Sequence, residues 1–72
     1  MENSALMTVE YYDSREPDRL IGAVYVPEAS ASACASQIGR AILKALGGNC
    51  LTAHLLDREG SRVDELTVFR NR

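Results

Sequence analysis

The chain reads as an α+β domain with element order ββαββ: a four-stranded antiparallel sheet with one helix packed on one face. Three observations predict this. Period-two alternation of apolar residues marks the first and third segments. A helix-periodic stretch lies between Pro27 and the pair Gly47-Gly48. Two polar segments, Asp13–Arg19 and Asp57–Gly60, separate strand-like runs as hairpin connections would.

Leu6 to Tyr12 is the first predicted strand. Met7, Val9 and Tyr11 fall on one face, and Thr8, Glu10 and Tyr12 on the other. Asp13–Arg19 is polar and contains Pro17, which reads as a turn or short loop. Leu20 to Val26 is the second strand. Leu20, Val24 and Val26 share one face, and Ile21, Ala23 and Tyr25 the other. Apolar residues on both faces suit a central strand. Pro27, which cannot donate to a ladder, stops it.

Ser30 to Leu46 is the predicted helix. Ser30 or Ser32 is the expected cap, since a serine hydroxyl accepts from free N–H groups of the first turn. Ala31, Cys34, Ala35, Ile38, Ala41, Ile42, Ala45 and Leu46 form one broad stripe, the expected buried face. The row Ala31, Ala35, Gly39, Leu43 begins with three small residues that permit a close backbone approach. Gly39 inside a helix costs about 1 kcal/mol relative to alanine, which close packing on a sheet would offset. Leu43 falls far round from the stripe and reads as an exposed contact residue. Gly47-Gly48 ends the helix through the left-handed conformation that glycine takes freely.

Cys50 to Leu56 is the third strand, with Leu51, Ala53 and Leu55 on one face and Thr52, His54 and Leu56 on the other. Asp57-Arg58-Glu59-Gly60 is a hairpin loop with Gly60 at the position needing positive φ. Arg62 to Arg70 is the fourth strand. Val63 and Leu66 are three apart, so a bulge near Asp64-Glu65 is expected to restore the register.

Seventy-two residues suggest a single small domain over 1–72, with residues 1–6 a loose extension and Met7 a second candidate start. A domain this size buries little surface, so support from a disulfide, a metal or a partner is common. Cys34 and Cys50 lack C-x-x-C spacing and read as reduced thiols, which places the chain in the cytoplasm. Two cysteines and His54 are too few for a zinc site, so no metal and no cofactor is expected. No apolar run approaches the roughly 20 residues of a membrane span, and the N-terminus lacks the pattern of a signal peptide. A partner protein or a second copy remains as the expected support.

The formal charge is −2, unevenly spread. Residues 1–28 hold two bases against six acids, and residues 29–72 six bases against four acids. The bases are seven arginines and one lysine.

Nothing in the chain forms a recognisable catalytic constellation. His54 and Cys50 lie four residues apart on one strand, about 13 Å by strand rise, too far for a dyad. Cys34 reads as a small buried hydrophobe of the helix stripe. Asp57/Glu59 and Asp64/Glu65 lie in or beside a hairpin loop, where acidic residues are ordinary. Gly47-Gly48 follows a helix and does not form a phosphate loop.

The sheet face away from the helix is the distinctive feature. It is expected to carry Tyr12, Tyr25, Leu56 and Phe69, with Thr8, Thr52, His54 and Thr67 between them. A solvated face normally carries more charge, and an apolar, aromatic one often marks an interface. With Leu43, these residues are the candidate protein interface of a non-enzymatic inhibitor or regulator. Compact domains of this kind are common among phage and mobile-element proteins that block a host machine, anti-CRISPR proteins among them; the analogy is one of size and class. A module binding single-stranded nucleic acid is the alternative, stacking bases on the aromatic face with cations from Arg58, Arg62, Arg70 and Arg72. The acidic total weighs against it.

Overall fold

A computed structural model describes residues 5–70. Strand β1 (Leu6–Asp13) pairs with β2 (Glu16–Pro27); a short 3-10 turn (Glu28–Ser30) leads into helix α1 (Ala31–Leu46); β3 (Cys50–Leu56) and β4 (Arg62–Phe69) complete the chain. All pairings are antiparallel and the spatial order is β2-β1-β3-β4. The helix packs on one face of this sheet, as the ββαββ pattern predicts.

The inner face is built by alternation. Met7, Val9 and Tyr11 of β1, Leu51, Ala53 and Leu55 of β3, Val26 of β2 and Val68 of β4 are buried beneath the helix. The helix contributes Ala31, Ala35, Gly39 and Leu43. This is the small-residue row, and it differs from the stripe expected from hydrophobicity. Cys34, Ile38 and Ile42 flank the contact half-buried, and Ala41, Ala45 and Leu46 are exposed. At 100° per residue, the buried face is rotated by roughly 70° from the centre of the apolar stripe.

The reason is steric. Tyr11, fully buried on the central strand β1, fills the space under the middle of the helix. Its hydroxyl donates to the Ala35 carbonyl at 2.7 Å. A Cβ built on Gly39 would meet both methyls of Val68 at 3.0 Å and Tyr11 Cε1 at 3.2 Å. Only a small row can lie over that ring, so the longer Ile38 and Ile42 move to the flank. Leu43 then turns inward and is 2 % exposed. The expected role of Leu43 as an exposed contact residue is therefore corrected: it is core.

β2 also departs from expectation. It is an edge strand, not a central one. It starts at Glu16 directly after a tight turn, and Asp13 Oδ1 accepts from the Arg15 N–H at 2.8 Å within that turn. An edge strand tolerates Pro17, which a central strand would not. Tyr11 faces Gly22 but Tyr12 faces Leu20, so Ile21 is an extra residue. The bulge reverses the expected faces: Leu20 shares the side of Tyr12, while Ile21 packs half-buried against the core.

Ser30 is the residue preceding α1, but its hydroxyl makes no capping bond; Oγ lies 3.6 Å from Cys34 Sγ. Ser32 lies inside the helix. Gly47 takes φ 78° and its N–H bonds to the Leu43 carbonyl at 2.7 Å, the expected glycine stop. In the second hairpin, Gly60 takes φ 85°. Asp57 Oδ1 accepts from the N–H groups of Glu59 and Ser61. The bulge of β4 falls at Val63, because Leu55 faces Asp64 and Leu56 faces Arg62. This is just before the expected Asp64-Glu65. β4 ends at Phe69, one residue earlier than predicted.

Leu43→Ala should destabilise the protein by about 2–5 kcal/mol, the range for a buried leucine. Gly39→Val should cost about 1–3 kcal/mol through overpacking against Val68 and Tyr11. Arg40→Ala, on the solvent side, should change stability by less than about 0.5 kcal/mol. Chemical denaturation of the three variants measures all of this.

Tyr11 also sets an alkaline limit. Burial, and secondarily the nearby Cys34, push its phenol from 10.0 up to about 12. The folded state thus favours the neutral phenol. The contribution is fully present below pH 10 and is lost as the pH rises toward 12. Two pH units correspond to about 2–3 kcal/mol. Denaturation measured from pH 9 to 12 should show this fall. Tyr11→Phe should flatten it, while losing about 1 kcal/mol at neutral pH with the Ala35 bond.

Candidate functional site: the open face of the sheet

The face opposite α1 is uncovered. Register assigns its residues: Leu20, Ala23 and Tyr25 from β2; Leu6, Thr8, Glu10 and Tyr12 from β1; Cys50, Thr52, His54 and Leu56 from β3; Arg62, Glu65, Thr67 and Phe69 from β4. Tyr12, Tyr25, Leu56 and Phe69 all lie on it, where sequence places them. Tyr25 is 76 % exposed and Phe69 51 %, whereas Tyr12 and Leu56 are half-buried among their neighbours. Leu43 lies on the other side of the sheet, in the core.

The apolar residues lie toward the strand ends. Tyr25 faces Thr8, which faces Leu56 on the next strand, and Leu6 lies beside them. Leu20 sits across from Tyr12, and Phe69 across from Cys50. Leu6, Leu20, Tyr25 and Phe69 are each more than half exposed.

The centre is polar. His54 faces Glu10 on one side and Glu65 on the other. Its ring lies 4.8 Å from the Tyr12 ring, centroid to centroid. Arg62 Nη1 lies 3.2 Å from His54 Nε2. A guanidinium can only donate, so Nε2 is the acceptor in this contact. Glu65 Oε1 is 3.8 Å from Arg62 Nη1 and 3.9 Å from His54 Nε2. The Tyr12 hydroxyl donates to Glu10 Oε1 at 2.8 Å. That bond first, with partial desolvation and the Glu10 charge behind it, raises the Tyr12 phenol above its ordinary value.

Sequence reasoning missed this cluster as a unit. His54 lies on β3, and the partners Glu10, Tyr12, Arg62 and Glu65 come from two other strands. The adjacency of β1 and β3 brings them together. Cys50 is not a partner of His54, in keeping with their separation along the strand. Cys34 and Cys50 are free thiols, both half-buried. Among the described residues, no three His, Cys, Asp or Glu side chains come together as a metal site would require.

The basic residues of the nucleic-acid alternative do not converge. Arg58 lies in the hairpin loop and Arg62 beside it, whereas Arg70 lies past the other end of β4, its N–H bonded to the Asn49 carbonyl. Arg72 lies outside the described residues. Glu10 and Glu65 occupy the middle of the face.

Two shallow depressions exist elsewhere. One of about 350 Å³ opens beside the start of α1 near Met7 and Val63. Another of about 420 Å³ lies between the first turn and the residues after α1, lined by Ile21, Leu43 and Leu51. No helix among the described residues is long and apolar enough to cross a membrane. Comparison with protein families, curated proteins and solved structures finds no match to this chain.

The polar cluster gives one test. In Glu10→Gln, Tyr12 loses both its carboxylate acceptor and the adjacent charge, so its phenol should titrate lower than in the parent protein. The Tyr12 ring resonance followed by NMR through the alkaline range measures the shift. An unchanged midpoint would show that the Glu10 bond does not set it.

Proposed function

We propose that this chain is a non-enzymatic protein-binding module, an inhibitor or regulator, that engages its partner through the open face of the sheet. The observation that carries the reading is the exposure of Leu6, Leu20, Tyr25 and Phe69 on the face that the helix leaves uncovered. Aromatic residues and arginine supply much of the binding energy at protein interfaces, and this face offers Tyr12, Tyr25, Phe69 and Arg62. The central Glu10–His54–Glu65–Arg62 cluster supplies polar groups of both signs that can fix orientation. Size and fold class suit a phage or mobile-element protein that blocks a host machine, in the manner of anti-CRISPR proteins. The scattered arginines and central carboxylates favour this reading over binding of single-stranded nucleic acid.

Affinity capture from source-cell extract tests it, using three baits: the parent chain, Tyr25→Ala/Phe69→Ala, and Arg40→Ala/Lys44→Ala on the solvent side of α1. A protein retained by the parent and by the helix variant, but lost from the face variant, is the expected result. With the purified partner, Tyr25→Ala should weaken binding by about 2 kcal/mol or more. A partner retained equally by all three baits would refute the proposed surface.

A further inference from the structure

The open edge of β2 carries a second, independent feature. Sheet edges are usually guarded by charge, proline or bulges, because their free N–H and C=O groups template pairing with another strand. The β4 edge is guarded in this way over its first half, by the bulge at Val63 and by Arg62, Asp64 and Glu65, leaving only Leu66–Phe69 free of charge. The opposite edge is guarded only in part. Charges and Pro17 occupy its first residues, Glu16–Arg19, and from Leu20 to Val26 it reads Leu-Ile-Gly-Ala-Val-Tyr-Val with no charged side chain. β2 ends the strand order, so no strand lies along its outer side; α1 packs on the inner face, mostly over β3 and β4 and less over β2 and β1.

The free backbone groups of β2 can be assigned. The Glu28 N–H bonds to the Ala5 carbonyl at 2.9 Å, continuing the register in which Leu6 faces Pro27 and Met7 faces Val26. Hydrogen-bonded and non-hydrogen-bonded pairs alternate along an antiparallel ladder. Val26, Val24 and Gly22 therefore direct their N–H and C=O groups toward β1. Ala23 and Tyr25 direct both of theirs outward, and Pro27 has only a carbonyl to offer.

We infer that two copies of this chain pair through their β2 edges, antiparallel, about a two-fold axis at Val24. In this register the Ala23 N–H donates to the second copy's Tyr25 carbonyl, and the Tyr25 N–H to the second copy's Ala23 carbonyl. The two-fold repeats both bonds, so every outward group of Ala23 and Tyr25 is satisfied. An axis at Tyr25 or Val26 would bring Pro27, which has no N–H, opposite a donor-seeking carbonyl. An axis at Ala23 or Gly22 would require Ile21, the bulged residue, to continue the ladder. Side chains agree with the Val24 register: the Tyr25 ring lies across from the small Ala23, and Val26 across from Gly22, where nothing lies within 4 Å of a built Cβ. No like charges meet.

The result is one continuous eight-stranded sheet, twice the four strands of the single chain, with both helices on one side. The two open faces join, and both Tyr25 rings lie near the axis. This inference stands whether or not the face binds a foreign protein.

Sedimentation velocity from about 5 μM to about 1 mM tests it, since a strand pair buries less than a standard interface and should dissociate on dilution. The parent chain should pass from monomer to dimer across this range. Ala23→Pro removes an outward N–H while sparing the ladder to β1 and the exposed aromatics. It should raise the dimer Kd by about tenfold or more, two hydrogen bonds being lost per dimer, with the thermal midpoint nearly unchanged. Hydrogen exchange supplies a measurement that needs no variant: the Ala23 and Tyr25 amides should become protected as concentration rises. A parent chain monomeric at the highest concentration, Ala23→Pro dimerising as well as the parent, or Ala23 and Tyr25 amides indifferent to concentration would each overturn the inference.

Discussion

The fold turns on how closely α1 can approach the sheet. Tyr11 stands on a central strand with its ring wholly buried, and its hydroxyl reaches the carbonyl of Ala35. An unpaired hydroxyl there would cost the full desolvation of a buried polar group. The bond therefore holds the helix at one height and one rotation. Gly39 and the two alanines before it leave room for the ring and for Val68. The helical cost of Gly39 is offset by contacts that any larger residue would push apart.

That single contact propagates outward. With the small row facing down, Leu43 points into the core and Ile38 and Ile42 seal its flank. The helix then lies mostly over β3 and β4, and β2 ends the sheet with no strand along its outer side. The inner face is committed wholly to this packing. Whatever the protein recognises is left to the outer face, to the edges, or to the solvent side of the helix. The outer face has the unusual composition: aromatic and aliphatic residues toward the strand ends around a small polar centre.

Bulges refine that surface. One extra residue at Ile21 turns Leu20 outward to meet Tyr12, and one at Val63 sets Arg62 and Glu65 together beside His54. Each bulge changes which side chain reaches the open face without disturbing the core. His54 accepts from Arg62 with a carboxylate on either side along its row, an arrangement that requires three strands.

Periodicity along the chain determined the element order, the inner residues of β1 and β3, the glycine stop at Gly47, the hairpin glycine at Gly60, and the placing of Tyr12, Tyr25, Leu56 and Phe69 on one face. These are local properties: alternation, left-handed backbone and hairpin connection act over a few residues. The burial of Leu43, the edge position of β2, the outward turn of Leu20 and the company of His54 were decided only in three dimensions. Each depends on which strand lies beside which, and on how closely the helix settles. A hydrophobic stripe ranks side chains by their aversion to water. It does not weigh the volume of a tyrosine ring waiting beneath the helix, and here that volume, rather than hydrophobicity, set the face that was buried.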